Sequence, residues 1–159
     1  MPEPTIPAVL FVCLGNICRS PLAEAAFRAE VERRDLAVEV DSAGTGDWHL
    51  GHAPDARAQA VAKAAGVDIS GYRARLVGAG DFDRFDHIVA LDLQNLANLR
   101  AMQPPGSRAR LSLLLDHVPG REGAAVADPY YGEDAGFDTT WADVQAGAAG
   151  LADRIARGR

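Results

Sequence analysis

The residues best suited to chemistry are Cys13 and Arg19, which open and close the run Cys13-Leu14-Gly15-Asn16-Ile17-Cys18-Arg19. A free thiol titrates near about 8.5, and the value falls at a helix N-terminus beside a cation. Each unit is about 1.4 kcal/mol, so two or three units ask only a few kcal/mol of loop amides, a helix dipole and one guanidinium. A glycine-containing loop that curls its N–H groups inward at a helix start holds an anion. With phosphate in that loop the thiolate lies under the phosphorus, and Arg19 can fork onto two equatorial oxygens. The lysine of a nucleotide-binding P-loop is missing. Sulfur attack on a phosphate monoester also needs an acid one hydrogen bond from the leaving oxygen. Asp128, in Asp128-Pro129-Tyr130-Tyr131-Gly132, is a carboxyl to consider, although Asp-Pro read alone is a common turn opener.

Positioning these residues falls to a strand and a helix. Ala8-Val9-Leu10-Phe11-Val12 is an apolar run too short for a helix and suited to burial on both faces of a parallel sheet. Ser20 as N-cap and Pro21 at N1 predict a helix over 20–34, with Leu22, Ala25, Ala26 and Ala29 on one face.

Val12-Cys13-Leu14-Gly15-Asn16-Ile17-Cys18-Arg19-Ser20-Pro21-Leu22-Ala23-Glu24 resembles the N-terminal signature of the low-molecular-weight protein-tyrosine phosphatases. Cys-x5-Arg alone is a loose pattern; the whole stretch between a strand and a helix is specific. Asp128-Pro129-Tyr130-Tyr131-Gly132 is similar to that family's acid loop, and two such motifs over a hundred residues apart do not coincide by chance.

The resemblance implies a protein-tyrosine phosphatase working by two-step transfer. Cys13 takes the phosphoryl group, Asp128 protonates the leaving oxygen, and Asp128 then activates the water that hydrolyses the thiophosphate. Arg19 and the amides from Leu14 through Gly15, Asn16, Ile17 and Cys18 stabilise the transition state, with no cofactor or metal. Ser20 eases departure of the thiolate and Asn16 pins the loop backbone. Ser42 supports the loop, or is an ordinary turn serine; Asp92 orients Arg19 and also serves as a helix cap. Trp48, His49, Tyr130 and Tyr131 line the substrate cleft, or merely pack their own loops. The partners implied are tyrosine-phosphorylated proteins, with inorganic phosphate and related oxyanions as inhibitors. Some relatives brace the loop with a histidine after the position of Ser70; here Gly71 follows, so that brace is absent or replaced.

Along the chain, Val38–Ser42 alternates as a second strand and Pro54–Ala65 forms a helix stopped at Gly66. Asp68–Gly80 is irregular, and its Arg73 and Arg75 are expected to be solvated. His87–Leu91 is a third strand, Asp92 caps a helix through Met102, and Arg110 opens a fourth strand and a helical turn. From Thr139 the chain is one amphipathic helix carrying Trp141, Val144, Ala148, Leu151 and Ile155. The expected fold is α/β, one domain over 1–159: a four-stranded parallel sheet in the order 2-1-3-4, helices on both faces, and a phosphate-binding loop after strand 1.

A length of 159 residues suffices for one domain burying about two thirds of its unfolded surface. Net charge is −6, which argues against nucleic acid and anionic membranes as partners. No apolar run reaches the roughly 18 residues of a membrane span, and the first seven residues lack a signal-peptide pattern, so a cytoplasmic monomer is expected. Cys13 and Cys18 are the only cysteines, so no disulfide framework exists, and His49, His52, His87 and His117 make no zinc spacing.

Three other functions fit parts of this pattern. A thioredoxin-coupled arsenate reductase would need further cysteines after Cys18. In a protein-arginine phosphatase the resemblance implies a small threonine where Ile17 stands. A non-catalytic, redox-sensing anion module would leave Asp128-Pro129-Tyr130-Tyr131 without a task.

Overall fold

The computed structural model describes residues 6–130, 132 and 135–158. The apolar run forms β1, Ala8–Cys13, buried along its whole length. Its alternate residues feed two cores. Val9 and Phe11 pack with α1 (Arg19–Arg33) and α5 (Ala135–Ala156), whereas Ala8, Leu10 and Val12 pack with α3 (Asp81–Arg84) and α4 (Leu93–Met102). Burial on both faces explains why β1 reads as continuous hydrophobicity rather than alternation.

β2 (Glu39–Gly44) and β3 (His87–Ala90) flank β1, and β4 (Arg110–Leu113) lies outside β3. The order is β2-β1-β3-β4 and every pairing is parallel, as the sequence leads one to expect. The chain leaves β1 toward one side and returns to the other, so strand order reverses between β1 and β3. Ligands of open parallel sheets bind in the crevice beyond that reversal, beside the end of β1 where Cys13 stands.

Helix α1 is fixed to the sheet by Phe27, whose ring meets Phe11 edge-on at 5.5 Å between centroids. Burying each ring is worth about 1.5–3 kcal/mol, enough to hold the helix start in place. That start differs from expectation. The helix begins at Arg19 with Cys18 at the N-cap, and no side chain caps it. Ser20 is therefore inside the helix, because its hydroxyl is turned back toward Cys13. Pro21 has no N–H and the Ser20 N–H is directed at Cys13 Sγ, so the donors left for an anion are the Arg19 N–H and those of the loop before it.

Two further boundaries move. Helix α5 starts at Ala135 rather than Thr139, and Phe137 is buried in its first turn. Between the irregular segment and the third strand, where no element was expected, Asp81–Arg84 forms α3, whose Phe82 fills the second core. Helix α2, Ala56–Ala64, sits inside the expected limits with Asp55 as its cap. A 3-10 turn over Leu114–His117 follows β4, and α5 lies against it so closely that a Cβ on Gly150 would meet the His117 carbonyl oxygen at 1.9 Å. Glycine in mid-helix costs about 1 kcal/mol, offset here by that approach. Among the described residues no helix is long and apolar enough to cross a membrane.

Candidate active site

The loop after β1 is held by its asparagine. Asn16 has φ +57°, a left-handed conformation that asparagine tolerates better than most residues. Its Oδ1 accepts from the Arg75 N–H at 3.0 Å, and its Nδ2 donates to Ser20 at 2.8 Å and Ser42 at 3.0 Å. Both amide atoms are thus used, and the buried side chain fixes the turn from beneath. Gly44, at the end of β2, makes the approach possible: a Cβ there would lie 2.7 Å from the Leu14 carbonyl oxygen.

Cys13 Sγ stands 3.0 Å from the Ser20 hydroxyl and accepts from the Ser20 N–H at 3.4 Å. A buried polar chain leads away from this sulfur. Ser20 connects through Asn16 to Ser42, and Ser42 donates to Glu24 at 2.7 Å. Glu24 also accepts from Arg28 Nε at 2.8 Å. Burial pushes the Glu24 carboxyl up, and its bonds to Ser42 and Arg28 only partly restore it. Arg28 reaches the Val40 carbonyl as well and hydrogen-bonds Tyr72, whose hydroxyl is pushed up to about 12 by burial and by Glu24. Arg28 and Tyr72 thus stand around Glu24 at the far end of this polar chain.

Arg75 overturns an expectation. Rather than being solvated, it is half-buried, its guanidinium pairing with Asp81 at 3.0 Å and Asp41 at 3.1 Å. These carboxylates hold the segment that presents the Arg75 N–H to Asn16. Arg73 is exposed, as expected.

Arg19 is buried, only 2% exposed, and aimed at the loop. Its Nη1 donates to Asp92 Oδ2 at 2.7 Å and to the Val126 carbonyl at 3.1 Å. Asp92 carries both duties expected of it, since its other oxygen caps α4 by accepting from the Asn95 N–H at 2.7 Å. Burial opposes the charge on Arg19, but the Cys13 sulfur and the Asp92 and Asp128 carboxylates outweigh it, so the guanidinium sits above its ordinary value. Val126 is tied by its N–H to the Leu91 carbonyl, which brings the segment leading to Asp128 over the end of β3. Asp128 Oδ2 then lies 3.5 Å from Arg19 Nη2, at the open rim of the cleft.

That cleft encloses about 350 Å³. Cys13 and Arg19 form its floor, Leu14, Ile17, Trp48, His49 and Tyr130 its walls, and Asp128 its rim. Trp48 is 68% exposed, and the rings of His49 and Tyr130 meet at 5.9 Å. Gly15 and Cys18 complete the lining, while Ser20, Asn16, Ser42 and Asp92 stand behind it. Tyr131 falls outside the described residues. Burial, reinforced by Asp55, pushes the Cys18 thiol up. A larger cavity of about 530 Å³ opens at the opposite end of the sheet, around His87, Arg108 and Arg110, and holds no nucleophile.

Several side chains behind the site carry no signature in the sequence. Asp41 meets Arg75, Asp55 meets Ile17 and Arg57 meets Tyr130 across long separations, whereas Arg28 pairs with Glu24 one helical turn away and Asp81 with Arg75 six residues away; the position of Asp55 before a helix hints at its use.

The family model for low molecular weight phosphotyrosine protein phosphatase matches residues 8–159. The chain is 47% identical over 132 residues to the low molecular weight phosphotyrosine protein phosphatase of Schizosaccharomyces pombe, covering 81% of this chain and 84% of that protein. It is similar in structure to YfkJ from Bacillus subtilis, with a TM-score of 0.91, 37% identity and 99% of both chains covered. It is similar also to the drosophila arginine phosphatase DARP, with a TM-score of 0.87, 34% identity, and 92% of this chain and 96% of that one covered. By motif, topology and the family match together, this chain belongs to the low molecular weight phosphotyrosine protein phosphatase family.

Proposed function

We propose that the chain hydrolyses phosphotyrosine in proteins through a phosphocysteine on Cys13. The observation that carries this reading is the convergence of Cys13, Arg19 and Asp128 on one cleft walled by Trp48, His49 and Tyr130. Phosphate seated in the loop lies over Cys13 Sγ, and Arg19, aimed by Asp92, grips its equatorial oxygens as charge spreads onto them. Asp128 protonates the tyrosyl oxygen as the S–P bond forms and the P–O bond breaks. As a carboxylate it next takes a proton from water, whose oxygen attacks phosphorus and releases Cys13. Ser20, 3.0 Å from Sγ, donates to the departing thiolate. Leu14, Gly15, Ile17 and Cys18 contribute loop N–H groups, and Asn16 with Ser42 holds their curvature.

The same fold serves an arginine phosphatase in the drosophila protein, so the leaving group needs an argument of its own. Ile17 and the aromatic walls suit a phenyl ring; a guanidinium would lose hydration against them, with the Asp128 carboxylate at the rim as its one charged partner in the lining beyond the phosphate loop. A reductase shuttle would need a third cysteine, and the chain has two. Inorganic phosphate and vanadate act as competitive inhibitors, and the enzyme works as a monomer. A thiol nucleophile requires a reducing compartment, which favours the cytoplasm.

The test is steady-state turnover of a phosphotyrosine peptide, a phosphoarginine peptide and, with thioredoxin present, arsenate. The expected result is metal-independent hydrolysis of phosphotyrosine with kcat/KM at least about a hundredfold above phosphoarginine, and no arsenate reduction. Preference for phosphoarginine, or no phosphatase turnover at all, would overturn the reading.

A further inference from the structure

We propose that Arg57, held by Asp55, is a positioning residue that sets the Asp128 loop against the phosphate-binding loop. The inference rests on the reading of Asp128 as the proton donor.

Asp55 touches the phosphate loop directly, its N–H donating to the Ile17 carbonyl at 2.8 Å. Its carboxylate caps α2 by accepting from the Arg57 N–H at 2.8 Å, and it binds the same residue's guanidinium through Nε at 3.0 Å and Nη2 at 3.1 Å. The far edge of that guanidinium grips the acid loop. Nη2 donates to the Tyr130 carbonyl at 2.9 Å and Nη1 to the Gly132 carbonyl at 3.3 Å. Its flat face lies 4.6 Å from the Phe137 ring centroid, in the first turn of α5, and 5.8 Å from the Tyr130 ring. The hydrogen bonds therefore run without a break from Ile17, through Asp55 and Arg57, to the residues just past Asp128.

Asp128 itself is held loosely. Its Oδ1 accepts from the Tyr130 N–H at 3.1 Å, and its other oxygen makes only the 3.5 Å approach to Arg19. The loop is anchored on two sides of it: first by Val126, tied to Leu91 just past β3 and to Arg19, and Ala127, whose carbonyl accepts from Thr140 at 3.4 Å, and second by Tyr130, tied to Arg57. Removing the second leaves the carboxyl on one hinge, and a displacement of about 1 Å at a reacting group can cost on the order of a hundredfold. The geometry demands arginine. A planar fork can serve a carboxylate edge and two carbonyls while lying on a ring, whereas an ammonium presents a point charge.

The experiment compares Arg57→Ala, Arg57→Lys and Asp55→Asn with wild type on phenyl phosphate and p-nitrophenyl phosphate, alone and combined with Asp128→Ala. Inorganic phosphate binding serves as the check on folding. Asp55→Asn keeps a good helix cap and the N–H to Ile17, so it decides the matter should Arg57→Ala fail to fold. Expected is a loss of about ten- to a hundredfold in kcat/KM, which reports the first step, on phenyl phosphate and a much smaller loss in kcat/KM on p-nitrophenyl phosphate. Combined with Asp128→Ala, the second change should add almost nothing. Equal losses on both substrates, full additivity with Asp128→Ala, or a wild-type Arg57→Lys would overturn the proposal. Should Asp128→Ala itself fail to separate the two substrates, it is the assignment of the proton donor that falls.

Discussion

Nη2 of Arg19 stands 3.5 Å from Oδ2 of Asp128, while Nη1 of the same guanidinium is fixed at 2.7 Å by Asp92. One cation thus serves a firmly held carboxylate behind the site and a loosely held one at its rim. On the proposed mechanism, phosphate entering the loop would take Nη2 for its own oxygens and free Asp128 to meet the leaving group. Asp128→Ala should lower kcat/KM, which reports the first step, by roughly 10²- to 10⁴-fold for phenyl phosphate and far less for p-nitrophenyl phosphate, whose leaving group barely needs the proton. Asp128→Asn should also bind inorganic phosphate at least as tightly as wild type, because a carboxylate that competes for Arg19 is gone. Weaker phosphate binding in that variant would contradict the exchange.

Asp92 couples stability and chemistry, and a single substitution separates them. Asparagine caps a helix as well as aspartate does, so Asp92→Asn keeps the bond to the Asn95 N–H but loses the charge that holds Arg19. Thermal stability should stay within a few degrees of wild type while kcat falls by about ten- to a hundredfold. Asp92→Ala should lose the cap too, at a cost of about 1 kcal/mol in stability. A fully active Asp92→Asn enzyme would remove the orienting role.

Cys18 is buried in the lining of the same cleft as Cys13, its thiol is pushed up by burial, and the proposed phosphoryl transfer gives its sulfur no task. An oxidised Cys13 either climbs to an irreversible acid or is captured by a neighbouring thiol. Wild type should lose activity to peroxide and regain it with dithiothreitol. Cys18→Ser should start active and be inactivated beyond rescue. Equal recovery of the two proteins would leave Cys18 as a small filler at the helix entry.

His117 makes the fold sensitive to acid. Arg154 can only donate, so its approach at 3.3 Å makes Nδ1 an acceptor and leaves Nε2–H for Ser112 at 3.0 Å. Burial first, then Arg154 and His87, push the imidazole down to about 4 from an ordinary 6.5. The unfolded chain takes up this proton below pH 6.5 and the native state only near 4. Stability is therefore complete above pH 6.5 and declines as pH falls toward 4, by about 3 kcal/mol in all. Glu24, whose carboxyl is raised by burial, works in the opposite direction, so the informative quantity is the difference between His117→Gln and wild type. Denaturant unfolding from pH 7.5 to 4.5 should show a shallower decline in the variant. Parallel curves would rule the histidine out.

The sequence announces those parts of the molecule that depend on near neighbours. Five apolar residues suffice to place β1, and Cys13 to Arg19 is a contiguous anion loop because its amides and helix dipole are local. Ser20 misleads for a physical reason: a serine before Pro21 is an ideal cap, but its hydroxyl is drawn to Cys13 by tertiary structure. Arg75 reads as surface because Asp41, Asp81 and Asn16 are brought to it only by folding. Glu24 lies within the recognised motif and pairs locally with Arg28 one turn on, yet its use beneath the loop appears only when Ser42 arrives from β2. Arg57 is illegible for the same reason, since its targets are backbone carbonyls that carry no side-chain signature.

A covalent phosphoryl group on Cys13 is tested most directly by acid quenching during turnover. Radiolabelled p-nitrophenyl phosphate should leave label on the peptide containing Cys13 in wild type. It should leave more in Asp128→Ala, where the first step barely needs the acid and the hydrolytic step does, and none in Cys13→Ser, which should still bind inorganic phosphate but not turn over. Label on any other residue, or steady turnover in Cys13→Ser, would contradict the account.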